Sequence, residues 1–206
     1  IAGDALSLKY NEFAPYVDEH GNAIPGLEQA PAGEYLIDRI GTEAVRFIGD
    51  HKSRPFFLYV PQFAVHMPSA VKAEIRAKYG EMPKEPTGRQ INPEFAALVE
   101  SMDESIGRIL KALDGLDPGR RTIVVLTSDN GGVCNSNGQI VPPTSNAPLR
   151  DGMGHLYEGG LRVPLIVRWP GGARTGATFD GVVSCLDLFP TVLEACAIQR
   201  SADSGP

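Results

Sequence analysis

Cysteine is scarce in this 206-residue chain: Cys134, Cys185 and Cys196 are odd in number and widely spaced, which excludes a full disulfide framework and any zinc-ligand spacing. Long apolar runs are missing too. No stretch approaches the ~20 residues of a membrane-crossing helix, and Ile1 to Leu8 lack the basic start and apolar centre of a secretory leader. Positive charge is in short supply, with 19 Lys and Arg against 25 Asp and Glu for a net charge of -6. The basic residues are scattered, so no nucleic-acid-binding face is present, and an anionic ligand would need locally gathered positive charge. No internal repeat occurs. What remains, 42% hydrophobic and 21% charged residues, is the make-up of an ordinary globular protein able to bury one sizeable core.

The chain is organised around Thr122 to Gly132. The run Thr122, Ile123, Val124, Val125, Leu126, Thr127 does not alternate, which predicts a strand covered on both faces, as in a parallel sheet. It stops at Ser128, Asp129, Asn130, Gly131, Gly132. In open α/β sheets ligands bind beyond the carboxyl ends of strands, where Asp129 and Asn130 fall. A carboxylate beside an amide oxygen suits a hard divalent cation, although the same pair also makes an ordinary turn.

Residues 1–32 read as an irregular segment with one short hairpin around Glu19, His20, Gly21 and Asn22. Apolar positions recurring at three and four predict a helix over Glu34 to Ile48, which Gly49 and Asp50 can end. Pro55 then opens a buried strand, Phe56 to Val60, with His66 just past its end. Asn92 as N-cap, Pro93 at the first helical position and the stripe Phe95, Leu98, Val99, Met102, Ile106, Ile109, Leu110, Leu113 predict a second helix, stopped by Gly115. On it Met102 is core filler, and Asp103 and Glu104 face solvent. Cys134 to Asn146 should be a loop, Leu165 to Val167 a third strand, Leu186 to Cys196 a short helix with Pro190 early in it, and Ser201 to Pro206 a frayed tail.

Several stretches in order carry a further signal: Pro55, Phe56, Phe57, Leu58, Tyr59, Val60 with Ala64, Val65, His66, Met67, Pro68; then Ser128 to Gly132; then Asn146, Ala147, Pro148, Leu149, Arg150; then Gly152, Met153, Gly154, His155, Leu156, Tyr157, Glu158, Gly159, Gly160, Leu161, Arg162, Val163, Pro164; then Trp169, Pro170, Gly171. From about Gly33 to Ala197 this text resembles the type I, arylsulfatase-like sulfatases of the alkaline-phosphatase-like superfamily. The resemblance implies an α/β fold, part of an alkaline-phosphatase-like sandwich with a mostly parallel sheet flanked by helices. Residues 1–206 would then be a single partial catalytic domain, with 1–32 irregular, 33–197 its α/β core and 198–206 a tail. It implies Asp129 and Asn130 as metal ligands, with calcium or magnesium as the ion, and His66 as a catalytic histidine contacting the sulfate near its leaving oxygen.

Two departures matter. The family's formylglycine nucleophile arises within Cys/Ser-x-Pro-Ser/Ala-x-Arg, and none of the three cysteines has that surrounding; Met67, Pro68, Ser69 only echo it. The family's Gly-Lys-Gly reads Gly152, Met153, Gly154 here, and a thioether cannot donate to an oxyanion. Arg150 and His155 are the local candidates for substrate contact, with a bracing role the simpler reading for Arg150. Glu158 and Arg162 would pair at helical spacing or across the turn. The chain is therefore expected to be a fragment of a sulfuric ester hydrolase, without the nucleophile region and the C-terminal subdomain, and inactive alone. Its parent would act on a sulfated small molecule or glycan. The alternatives are a phosphodiesterase or phosphonate hydrolase of the same superfamily, or a non-catalytic protein of sulfatase ancestry. The family resemblance points to a periplasmic or extracellular setting, and edges left by missing strands to self-association.

Overall fold

The computed structural model describes residues 12–18, 20–66, 70–81, 92–116, 122–134, 144–172 and 175–199. Within them lie α1 (Leu36–Asp50), α2 (Ala73–Gly80), α3 (Pro93–Asp114), β1 (Val124–Thr127), α4 (Glu158–Leu161), β2 (Leu165–Arg168) and α5 (Cys185–Ala195). Met67, Pro68 and Ser69, residues 135–143 of the loop, Glu19 and the Ser201 to Pro206 tail lie outside the described residues. Contacts divide the chain into two units, Ile1–Pro170 and Gly171–Pro206.

Helix α1 starts two residues later than its apolar pattern predicts. The Glu34 carbonyl, which a helix would use, instead accepts from the Ala14 amide and the Tyr16 hydroxyl, each at 2.9 Å. Burial, then the neighbouring Glu34 carboxylate, pushes the Tyr16 phenol up to about 12, so it stays a donor. The irregular opening segment does contain a hairpin-like turn: Val17 bridges Ala23, and the Asp18 carboxylate accepts the amides of His20 (2.9 Å) and Asn22 (2.8 Å). At the other end Gly49 and Asp50 remain inside α1, and His51 caps it through the Phe47 carbonyl.

Asn92 caps α3 as predicted, its Oδ1 accepting from the amides of Glu94 (2.9 Å) and Phe95 (3.2 Å) with Pro93 next. The buried face differs from the predicted stripe. It is Ala97, Leu98, Ser101 and Ser105, while Val99 is 38% exposed. Small residues win because α1 comes close: a Cβ on Gly41 would overlap the Ser105 hydroxyl oxygen. Both serines stay satisfied, Ser101 donating to the Ala97 carbonyl at 2.9 Å and Ser105 to the Ile37 carbonyl at 3.3 Å. Met102 is half-buried, and Asp103 and Glu104 are exposed, as expected. Tyr35, Ile37 and Leu98 form the core, with Phe13, Ala64, Val65 and Val71 packed on it.

The sequence did not announce α2, which buries only Ile75. Charge docks it on α3 instead, through Arg76–Glu94 (3.2 Å) and Lys78–Glu100 (2.7 Å), while Lys72 reaches Asp38 at 2.8 Å.

The expected strand Phe56 to Val60 takes part in no ladder among the described residues. Phe57 and Tyr59, 75% and 76% exposed, alternate with the half-buried Phe56, Leu58 and Val60, so one face packs and the other is open. The central strand is also corrected. It is Val124–Thr127, shorter than Thr122 to Thr127, and Val125 to Thr127 are exposed rather than covered on both faces. The α/β class stands, but the ladder among the described residues is antiparallel, Val124 opposite Arg168 and Thr127 opposite Leu165. Arg168 ties β2 to the end of α3 through Asp114 at 2.6 Å. In the second unit, α5 carries a capping box between Ser184 and Asp187 and contains Pro190. Leu186 and Phe189 on α5 are exposed. No described helix is long and apolar enough to cross a membrane.

Candidate functional site

Where β1 ends, the chain turns on its own polar side chains. Thr127 Oγ1 donates to the Pro164 carbonyl at 3.0 Å, and Ser128 Oγ to the Asn130 carbonyl at 2.9 Å. The Asn130 amide donates to Asp129 Oδ1 at 3.0 Å, so the two oxygen-bearing side chains sit side by side at the tip. That is the donor chemistry a hard cation takes. Among the described residues, no group of three or more His, Cys, Asp or Glu gathers to complete such a shell.

The tip is clasped by the segment 146–160 almost entirely through backbone. Gly131 donates to the Gly160 carbonyl at 3.0 Å, Met153 to the Gly132 carbonyl at 3.2 Å, and Gly159 to the Arg150 carbonyl at 2.8 Å. These approaches require glycine. A Cβ on Gly131 would overlap the Gly159 carbonyl oxygen, one on Gly152 the Gly132 carbonyl, and one on Gly160 the His155 carbonyl. Asp151, at φ 58°, takes the left-handed conformation that Asp tolerates.

Among the described side chains that reach into the clasp, Asn146 makes the most hydrogen bonds there. Its Oδ1 accepts the Gly132 amide at 3.1 Å, while its Nδ2 donates to the carbonyls of Gly132 (2.8 Å) and Asp151 (3.0 Å). Sequence reasoning assigned it no role. The signal was its place at the head of the Asn146 to Arg150 stretch, and only the fold brings it to Gly132.

The remaining candidates divide into two groups. Met153, half-buried, is pinned by its amide beside the tip. Arg150 lies with its guanidinium 3.7 Å from the Tyr157 ring centroid and 3.6 Å from the Asp151 carboxylate, which is the bracing arrangement. His155 is exposed, its amide bonded to the Gly152 carbonyl at 3.0 Å. Glu158 and Arg162 pair at 3.3 Å across α4, the spacing expected. His66 follows a segment held by the helices: its amide donates to the Phe63 carbonyl at 3.2 Å, and the Ala64 and Val65 before it pack on the helical core. Among the described residues no hydrogen bond or ion pair joins His66 to Asp129, Asn130 or Met153.

Comparison with known proteins gives one consistent answer. The profile of the Sulfatase family matches residues 5–198. A sulfatase of Formosa agariphila is 35% identical over 189 residues, covering 85% of this chain and 32% of that protein. Mouse steryl-sulfatase is 32% identical over 170 residues, covering 82% of this chain and 26% of its own. Among solved structures, Ps i-CgsB in complex with k-i-k-neocarrahexaose superposes with a TM-score of 0.72 at 29% identity, over 91% of this chain and 38% of that one. The chain thus spans about a third of the length of the curated relatives it matches.

Proposed function

Because the chain belongs to the sulfatase family, we propose that it is the part of a sulfate-ester hydrolase domain that contributes the Asp129 and Asn130 metal ligands and the His66 acid. The observation that carries this reading is the side-by-side placement of Asp129 and Asn130 at a strand tip fixed to the Met153 segment. Calcium or magnesium, when bound there, supplies charge neutralisation of the non-bridging sulfate oxygens. Asp129 offers carboxylate oxygens and Asn130 its amide oxygen toward that ion. His66 donates a proton toward the leaving oxygen. The formylglycine nucleophile would come from residues other than Ile1 to Pro206, and a sulfated small molecule or glycan is the substrate class. The k-i-k-neocarrahexaose in the Ps i-CgsB crystal supports the glycan; the periplasm or the outside of the cell is the setting proposed from the family resemblance.

The test uses a chromogenic aryl sulfate with calcium. The 206-residue chain alone should give no turnover. A reconstructed full-length sulfatase carrying it should turn over, and Asp129→Ala should lower kcat by about 10² to 10³, on the order of 3 to 4 kcal/mol of lost electrostatic stabilisation. Turnover by the isolated chain that a substitution within it abolishes contradicts the partial-site reading, and an unaltered kcat in the Asp129→Ala protein contradicts the ligand assignment. A non-catalytic relative remains the second reading, on the single observation that Met153 stands where a lysine ammonium is expected.

The exposed Phe57, Tyr59, Ile166 and Val167 also favour pairing of two copies of the chain. Sedimentation at rising concentration should register a dimer, and a single monomeric species throughout counts against it.

A further inference from the structure

We propose that Asn146 is a positioning residue, whose side-chain amide sets the spacing between the Asp129/Asn130 oxygen donors and position 153; this rests on the reading of those two residues as metal ligands. A primary amide has one acceptor face and two donor hydrogens, and here each has a backbone partner. The oxygen takes the Gly132 N–H at 3.1 Å, and the nitrogen gives its hydrogens to the Gly132 carbonyl at 2.8 Å and the Asp151 carbonyl at 3.0 Å. Both polar groups of Gly132, two residues past Asn130, are thereby held by one side chain. The same carbonyl also receives the Met153 amide at 3.2 Å.

Three segments meet at this point: the tip, the left-handed turn at Asp151, and the backbone of Met153. Asn146 supplies the side chain that joins them. Gly152 has no room for one, since a Cβ there would come within 2.5 Å of Asn146 Nδ2 and overlap the Gly132 carbonyl oxygen. Removing the amide leaves the Gly132 N–H and the Asp151 carbonyl without this partner, and loosens the tip relative to residue 153, with the Met153 N–H to Gly132 carbonyl bond still in place. An aspartate would keep the acceptor but face two carbonyl oxygens with a carboxylate oxygen, so it should fail as well. Ligand geometry, rather than ligand identity, is what Asn146 controls.

The test is an amide-resolved NMR titration of the whole ¹⁵N-labelled 206-residue chain with lanthanum(III), a diamagnetic, oxygen-seeking ion. In the unsubstituted chain the ion should shift the amides of Asp129 to Gly132 and, on the same saturation curve, those of Asp151 to Met153. Asn146→Ala should raise the lanthanum Kd at least fivefold and abolish the response at Asp151 to Met153. Ile48→Val, a core substitution in α1, should lower the thermal midpoint and leave both responses intact, which separates positioning from general stability. Absence of any shift at Asp129 and Asn130 in the unsubstituted chain overturns the ligand reading and this proposal with it. Shifts there that couple to Asp151 to Met153 equally well in Asn146→Ala overturn the positioning role alone. Should Asn146→Ala not fold, hydrogen exchange in the unsubstituted chain decides: a Gly132 amide as protected as that of Gly131 supports the clasp, and one exchanging at the rate of an unstructured residue overturns it.

Discussion

Replacing Gly131 with alanine should destabilise the Ile1–Pro170 unit by about 3 kcal/mol, at the upper end of what overpacking costs. The added methyl would overlap the carbonyl oxygen of Gly159, a backbone atom that no rotamer change can move aside. Relief requires the tip and the Arg150 to Gly160 segment to separate. That would break Gly131 N–H to the Gly160 carbonyl and Met153 N–H to the Gly132 carbonyl together. Gly107 is the contrast. It lies within α3, and an added methyl group there would meet nothing within 4 Å, so Gly107→Ala should stabilise by roughly 0.5 to 1 kcal/mol through helix propensity. Urea unfolding followed at Trp169, the single tryptophan, which directly follows β2, places the two variants on opposite sides of the parent. Effects of similar size and sign would show that the backbone-on-backbone packing is not as described.

Turnover of a reconstructed full-length sulfatase carrying this chain should rise tenfold or more on Met153→Lys, on the order of 1.4 kcal/mol of barrier. The Met153 amide is fixed at 3.2 Å to the carbonyl of Gly132, two residues past Asn130. A lysine follows a similar unbranched path and ends in an ammonium, where methionine ends in a thioether that offers an oxyanion no proton. The local cations that would otherwise stand in are Arg150, resting against Tyr157 and Asp151, and His155. Steady-state kinetics on an aryl sulfate measures the effect. No change, or a fall, would show that the site has been rebuilt around methionine.

What could be read in advance follows from where the information sits. The start of α3 was legible because Asn92 and Pro93 act on their immediate neighbours, and the pairing of Glu158 with Arg162 because four residues make one helical turn. Helix α2 was not, since it is held by Arg76 and Lys78 reaching acids on another helix, and such partners leave no period in the local text. The apolar run of β1 correctly marked a strand and wrongly marked its surroundings: composition reports what a strand is suited to, whereas Val125 and Leu126 are 38% and 39% exposed here. Within the site, Asp129 and Asn130 were visible as an oxygen pair at a strand end. Asn146 was not, because its importance lies in reaching Gly132, fourteen residues away.

The glycine clasp bears on how this loop can change over generations. Its shape is specified at Gly131, Gly152, Gly159 and Gly160 by the absence of side chains, with backbone atoms as the mating surfaces. The side chain of Leu156, 88% exposed, is displayed on that backbone and carries little of the burden of holding it in place. Such an arrangement separates heritable variation into two compartments. Substitutions at the glycines should be selected against for structural reasons, while those at displayed positions such as Leu156 can be sampled for new contacts on an unaltered backbone.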